Sequence, residues 1–490
     1  MPTLAVIYFT IFSNMWRLNI ILALIVLFGN RKKPQTTFLR MIIVIILPIF
    51  GFILYLMFGQ DFRKSKKFDV KKKKDDVIGK IVGIQERQIE SGNFFKTHEE
   101  LKEYYQLLNM NLESESSIIS EGNSIKFFYD GKDKFDCLFE DIRNAKKSID
   151  IEYYIFRRDD LGYKLLSLLT KKAKEGLNVR LLVDGFGGGT VLKPRDVRKF
   201  KKAGGKFSIF FPGIFGSIFN FRINYRDHRK IVIIDDEISY VGGFNVGKEY
   251  LGKDKKFGYW RDTHARIYGY ATFGLKIRFL KDWYFASKDS LAEQNPEISQ
   301  NIIQEKLEDI PIQVISSGPD TEEKNIKNTF LKMILNAKKE IIIQTPYFVP
   351  DSAIIDALKI ALLSGVRVRI LIPDKPDHMF IYWATTSYAG EIIDAGGEVY
   401  TYNNGFTHSK VVIVDDTVSC LGSANMDNRS FSLNFETNII IYSKKVNASL
   451  KEQFEKDILN SSKITMADYE HRKIIVKIKE AFSILFSPLL

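Results

Sequence analysis

The sequence predicts an α/β protein: two α/β/α sandwich halves related by a pseudo-two-fold axis, preceded by an N-terminal transmembrane helical hairpin. Three observations predict it. A pattern recurs at a constant offset, helix-like and strand-like runs alternate within each copy, and the N-terminal region holds a long run without charge. They divide the chain into a hairpin (1–60), a basic linker and N-terminal cytosolic segment (61–125), two halves (126–305 and 306–470, with motifs at 223–250 and 403–430) and a basic amphipathic tail (471–490).

Composition bounds the reading. Of 490 residues, 45% are hydrophobic and 27% charged, which describes folded globular units and excludes a disordered chain. A balance of 72 Lys and Arg against 59 Asp and Glu leaves a net charge of +13 and points to an anionic partner, nucleic acid or an acidic membrane. Cys137 and Cys420 lie far apart, which excludes a disulfide framework or a cysteine-built zinc site, and Cys420 falls in an apolar strand-like run.

The hairpin decides between the two partners. Met41 to Gly59 reads MIIVIILPIFGFILYLMFG, nineteen residues without charge, close to the roughly 20 that span a bilayer. Thr3 to Gly29 is long enough for another span if Arg17 snorkels; a cleaved signal peptide is the alternative, against which stands the lack of a basic leading region. Arg31, Lys32, Lys33 and Arg40 separate the spans, whereas eight cations (Arg63, Lys64, Lys66, Lys67 and Lys71 to Lys74) follow the second. The larger cluster is expected in the cytoplasm, which makes the chain a multi-pass cell-membrane protein with a cytoplasmic body. The same cluster is read either as a grip on anionic lipid or as a solvated topology signal.

The duplication organises the rest. Asn144 begins NAKKSIDIEYYIF and Asn336 begins NAKKEIIIQTPYF; AGG follows at Ala203 and again at Ala395, and both pairs are offset by 192 residues. Between these landmarks an amphipathic helix carrying Leu161, Leu165, Leu168, Leu169 and Ala173 leads into the strand-like GLNVRLLVD, matched by SGVRVRILIPD in the second copy. Each AGG is expected to stop a helix with a left-handed glycine.

Beyond each cap stands H-x-K-x4-D: His228, Lys230 and Asp235, then His408, Lys410 and Asp415, followed at equal spacing by Asn245 and Asn425. Two matches at equivalent points of a repeat make a specific signal. On a strand, residues i and i+2 share a face, so each histidine is paired with a lysine. Two imidazoles and two ammonium groups, with Asn245 and Asn425 as further donors, would cradle a tetrahedral phosphate. One ring would attack phosphorus to give a covalent phosphohistidine, while its twin protonates the departing alcohol and later deprotonates the incoming one. Asp262 and Glu436, at 34 and 28 residues past their respective histidines, are candidate acceptors that hold the tautomers. Asp235 and Asp415 are counted with the catalytic residues as members of the motif, although bonds to turns near the strand ends are their expected part. The scheme needs no metal and no cofactor.

The twin motifs resemble those of the phospholipase D superfamily. The flanking NYRDHRKIVIIDD, YVGGFNVGKEYLG, GYWRDTHARI, GFTHSKVVIVDD, GSANMDNRSFSLNFE and terminal FSPLL are similar to bacterial cardiolipin synthases of that type over nearly the whole chain. The resemblance implies two phospholipase D-like halves. It also implies the joining of two phosphatidylglycerols into cardiolipin with release of glycerol, and His228 as nucleophile with His408 as acid/base; the symmetry of the repeat leaves the reverse assignment open. The D-G-x2-A-R signature of the metal-dependent cardiolipin-forming family is not found. An anionic phospholipid and a membrane are the expected partners, and nucleic acid is not. A lipid hydrolase with the same intermediate, a tethered nuclease and a non-catalytic membrane scaffold are the competing functions; oligomeric state is left open.

Three further segments carry expectations. Phe207 to Phe221, FSIFFPGIFGSIFNF, contains the twelve extra residues that the first half carries between its AGG and its histidine relative to the second, and reads either as a loop dipping into the bilayer or as a strand and loop over the core. The tail HRKIIVKIKEAFSILFSPLL reads as a core-packing helix, with an interfacial helix as alternative. His98 and His471 are read as surface residues, and His264 and His378 as minor candidates for the site.

Overall fold

The computed structural model describes residues 17, 19–28, 34–47, 51, 76–189, 192–211, 225–287, 307–321 and 323–485. The first half is a seven-stranded sheet in the order Asn123–Phe128, His264–Gly269, Ile238–Gly242, Lys230–Ile234, Ser148–Tyr153, Asn178–Asp184 and Lys206–Phe210. The second half repeats this order with Ile312–Ser317, Asn434–Tyr442, Val418–Gly422, Val411–Val414, Glu340–Gln344, Arg367–Pro373 and Glu398–Tyr402, and adds the edge strands Ile119–Ser120 and Ser461–Ile464. In each half the last three strands of that order are parallel and joined through helices; their neighbours on the other side are antiparallel.

Local chemistry explains the connections. Asp159 caps helix Asp160–Lys174 by accepting from the Gly162 amide at 3.1 Å. That helix buries Leu161, Leu165, Leu166, Leu169 and Ala173 on one stripe against the sheet. Helices Pro194–Lys202 and Met379–Asp394 both end at AGG, where Gly204 and Gly396 take φ of +97° and +92° and the next amide reaches back into the last turn. Only glycine enters that region without steric cost.

The two sheets meet through one core. Ile231, Ile233, Val241 and Ile267 of the first half pack with Ile342, Val411, Ile413 and Ile439 of the second, and helices Ala271–Ser287 and Lys444–Ile458 close the layer with Leu275, Phe279, Leu450 and Phe454. Outer helices cover the opposite faces.

The segment between the expected hairpin and the first half carries helices that pack on the second half. Helices Asp76–Glu90 and Tyr105–Glu115 place Ile89, Leu107, Leu108 and Leu112 against Phe330 and Ile334 of the second half. The aromatic segment begins in strand Lys206–Phe210, the counterpart of Glu398–Tyr402, and Phe210 lies 5.0 Å from Phe435 across the inter-half core. Residues 212–224, with the rest of that segment, lie outside the described residues. Helix Pro34–Ile46 covers the start of the expected second span, most of which is also outside them; among the described residues no helix is long and apolar enough to cross a membrane.

Candidate active site

Each histidine enters the site by pairing with the opposite half. Strand Arg226–Asp227 runs parallel to Asn434 and Phe435, and the His228 amide donates to Phe435 O at 2.9 Å. By the same pattern, Phe406–Thr407 runs parallel to Trp260–Arg261, and the His408 amide donates to Arg261 O at 2.7 Å. These short pairings bring His228 to Glu436 and His408 to Asp262.

The resulting dyads are crossed. His228 Nδ1 lies 2.9 Å from Glu436 Oε1, and His408 Nδ1 lies 2.8 Å from Asp262 Oδ2. Chain spacing associated each carboxylate with its own half's histidine; the fold exchanges them, because the partner strand rather than the nearer sequence supplies the neighbour. Bonding at Nδ1 holds Nε2 of His228 as the ring nitrogen available to a ligand. Glu436 is further held by Ser423 Oγ at 2.5 Å and Asn434 Nδ2 at 3.1 Å, and Asp262 accepts the Thr263 amide at 2.7 Å. Arg261, gripped by Asp457 at 2.9 and 2.6 Å, fixes the backbone that presents Asp262.

The lysines complete the cradle. Lys230 Nζ donates to His228 O at 2.6 Å, while Lys410 Nζ donates to His408 O at 2.6 Å and lies 2.9 Å from His408 Nδ1 and 3.1 Å from Nε2. All four groups are buried. Burial pushes His228 down to about 4 against the pull of Glu436, and it lowers His408 together with the adjacent Lys410 ammonium. Burial likewise brings Lys230 to about 7 and Lys410 to about 8. Lys410 also depresses His228, and Lys230 also depresses His408, so the cations of both halves act on both rings. Burial opposes the Glu436 carboxylate, but the neighbouring His228 and Lys230 and the Ser423 hydroxyl hold it below its usual range. Such a site has positive groups in excess of room to solvate them, and an entering phosphate diester restores their charge.

Asp235 and Asp415 stand elsewhere. Asp235, at the far end of strand Lys230–Ile234 from His228, accepts the amides of Lys146, Lys147 and Ser148 at 2.7 to 2.9 Å. Asp415 accepts those of Lys338, Lys339 and Glu340 at 2.7 to 2.9 Å. Both take left-handed φ, 55° and 50°. Their inclusion among catalytic residues is corrected: they fasten the turn to the start of the neighbouring central strand. The asparagines are also engaged in the protein. Asn245 accepts the Ile155 amide at 3.1 Å and donates to the Tyr250 hydroxyl at 3.0 Å, and Asn425 Nδ2 donates to Asp427 at 3.1 Å, so these amides order the walls around the site.

Aromatic rings absent from the motif complete the walls. Tyr154 meets the His228 ring edge-on at 5.1 Å, and Trp260 lies 5.3 Å from His408. Tyr154 lies in the repeated landmark EYYIF, and Trp260 lies two residues before the candidate acceptor Asp262 in YWRDTH. At Gly243 a Cβ would sit 1.9 Å from Asp262 Oδ1, whereas the residue at the same distance past the second histidine is Ser423, the donor to Glu436. His264 is fully buried beside Tyr240 and Phe244, and His378 is exposed with its ring 6.5 Å from Tyr347. His98, expected at the surface, is buried and bonded to Glu121 at 2.9 Å; His471 is exposed.

A family model described as the phospholipase D-like domain of cardiolipin synthase matches residues 138–258 and again 330–458, one copy per half. The chain belongs to this family. A second model, the N-terminal segment of phospholipase D-type nucleases, matches residues 18–60. Cardiolipin synthase of Oceanobacillus iheyensis is 45% identical over 473 residues, 96% of this chain and 97% of the relative. The major cardiolipin synthase of Bacillus subtilis is 43% identical over the same shares. Among solved structures, phosphatidylserine synthase of Haemophilus influenzae superposes with a TM-score of 0.62 at 17% identity, covering 79% of this chain and all of that one, which supports the two-half fold.

Proposed function

We propose that this member of the cardiolipin synthase family transfers a phosphatidyl group between two phosphatidylglycerols, giving cardiolipin and glycerol. The observation that carries the mechanism is the pair of crossed histidine–carboxylate dyads, each beside a buried lysine. Nε2 of His228 attacks phosphorus as the bond to the glycerol headgroup breaks, and His408 gives that alkoxide its proton. A hydroxyl of a second phosphatidylglycerol then loses its proton to His408 and attacks phosphorus, which breaks the phosphorus–nitrogen bond and restores His228. Lys230 and Lys410 balance charge on the non-bridging oxygens throughout. The arriving phosphate raises the proton affinity of these depressed basic groups, which supplies the acid form of His408 at neutral pH.

The finer membrane reading is part of the proposal. The charge-free run at Met41 to Gly59 and the eight cations after it support a multi-pass anchor with the catalytic body on the cytoplasmic side. Purified protein incubated with phosphatidylglycerol alone tests the reaction: cardiolipin and glycerol in equal amounts are expected. Phosphatidic acid as the sole lipid product would replace the transferase with a hydrolase.

A further inference from the structure

Helix Ile474–Leu485 is mounted with its polar side inward. Glu480 and Ser483 are buried; Glu480 accepts from Thr386 of helix Met379–Asp394 at 3.0 Å and pairs with Arg472 at 3.1 Å. Ile474, Ile475, Ile478, Phe482 and Leu485 are instead 52% to 73% exposed. At 100° per residue these five fall on one face, so the helix turns a continuous apolar stripe to the outside. A core-packing helix, the sequence expectation, would present the opposite side. Exposed Lys477 and Lys479 flank the stripe, Lys479 with its Nζ 5.2 Å over the Trp383 ring, and Met379, at the start of the supporting helix, extends its apolar surface.

We propose that this face docks into the interface of an anionic phospholipid bilayer, its isoleucines and Phe482 among the upper acyl carbons and its lysines at the phosphates. Two features select that occupant over a protein partner. Cations border an apolar stripe of the width a single interfacial helix inserts, and the polar contacts of the helix are already spent inward on Thr386 and Arg472. The surface also adjoins the site. Helix Met379–Asp394 follows Asp377, which accepts the Tyr347 hydroxyl and whose charge bears on Lys410. A docked helix would therefore hold the mouth of the cradle at the height of lipid headgroups.

The test uses the full chain in a Cys137→Ser background, with Cys420 buried and unreactive. An environment-sensitive fluorophore is attached at Ile478→Cys or, as control, at the exposed Lys456→Cys. The protein is reconstituted into vesicles of phosphatidylglycerol and phosphatidylcholine carrying nitroxides on the acyl chains. Blue-shifted, strongly quenched emission at position 478 with water-like, unquenched emission at 456 is expected. Water-like emission at 478 overturns the proposal. A shielded but unquenched label also overturns it, because the cover is then a second copy or another segment of this chain. The double variant Ile475→Glu, Phe482→Glu is expected to lose about tenfold in turnover on vesicles while short-chain phosphatidylglycerol in mixed micelles is turned over as before, the loss reflecting a weaker interfacial hold.

Discussion

Asp262 of the first half accepts His408 of the second at 2.8 Å, and Glu436 returns the relationship to His228 at 2.9 Å. Each half thus carries the group that orients the other's imidazole, and neither sequence copy contains a complete dyad. Asp262→Asn and Glu436→Gln keep shape but favour the wrong tautomer. By analogy with the aspartate of a hydrolytic triad, each is expected to lower kcat by about 10²- to 10⁴-fold with little change in KM. Steady-state kinetics on phosphatidylglycerol vesicles measure this, and a change confined to KM would contradict it.

The Gly243–Ser423 difference gives the two carboxylates unequal surroundings. Gly243→Ala must displace Asp262, since the new carbon would stand 1.9 Å from its oxygen. Ser423→Ala merely removes one donor to Glu436. One charge-assisted hydrogen bond corresponds to about tenfold in rate, so the serine variant is expected near that loss and the glycine variant well beyond it. Equal losses, measured as kcat, would show that space around Asp262 is unimportant.

Sequence reasoning reached the repeat, the glycine caps and the identities of the histidines, lysines and carboxylates, because spacing and the constant offset between copies are local properties. It could not reach the crossing. His228 and Glu436 are joined by a parallel pairing between residues 226–227 and 434–435, and nothing in either segment encodes its partner. The tail shows the same limit: periodicity reveals an apolar stripe at Ile474, Ile478 and Leu485 but not which side meets the protein, which the buried Glu480 decides.

For pH dependence, the unperturbed imidazole value of about 6.5 would set the acid limb of kcat/KM there. Burial holds His228 near about 4, so that limb is expected well below pH 6. The alkaline limb is expected between pH 7 and 8, where Lys230 and Lys410 lose the protons that bind phosphate. A profile of kcat/KM against pH decides; an acid limb at 6.5 would contradict the buried dyad.

Asp235 offers a contrast with its motif partners. Asp235→Ala leaves three backbone amides without their acceptor. It is expected to lower stability by about 1–3 kcal/mol in chemical denaturation while folded protein retains most of its kcat. His228→Ala, in contrast, should abolish turnover at little cost in stability.

Glu152, fully buried beside Asp227, occupies the position filled by Gln344 in the second half. Burial and the neighbouring Asp227 raise its pKa well above the usual range. A raised carboxyl holds its proton in the folded state where the unfolded chain has lost it, so its contribution to stability falls as pH rises above about 4.5. Glu152→Gln removes that dependence and is expected to be near neutral at pH 4.5 and stabilising at pH 8, measured as denaturation midpoints; a variant less stable at pH 8 would contradict it.

The central claim is that one imidazole carries the phosphatidyl group. Protein mixed with phosphatidylglycerol, quenched with denaturant at alkaline pH within the first turnover and digested for mass spectrometry, is expected to yield a phosphatidyl adduct on His228 that disappears in His228→Ala. An adduct on His408 alone would reverse the two roles, and product formation in the first turnover with neither histidine modified would contradict the covalent mechanism.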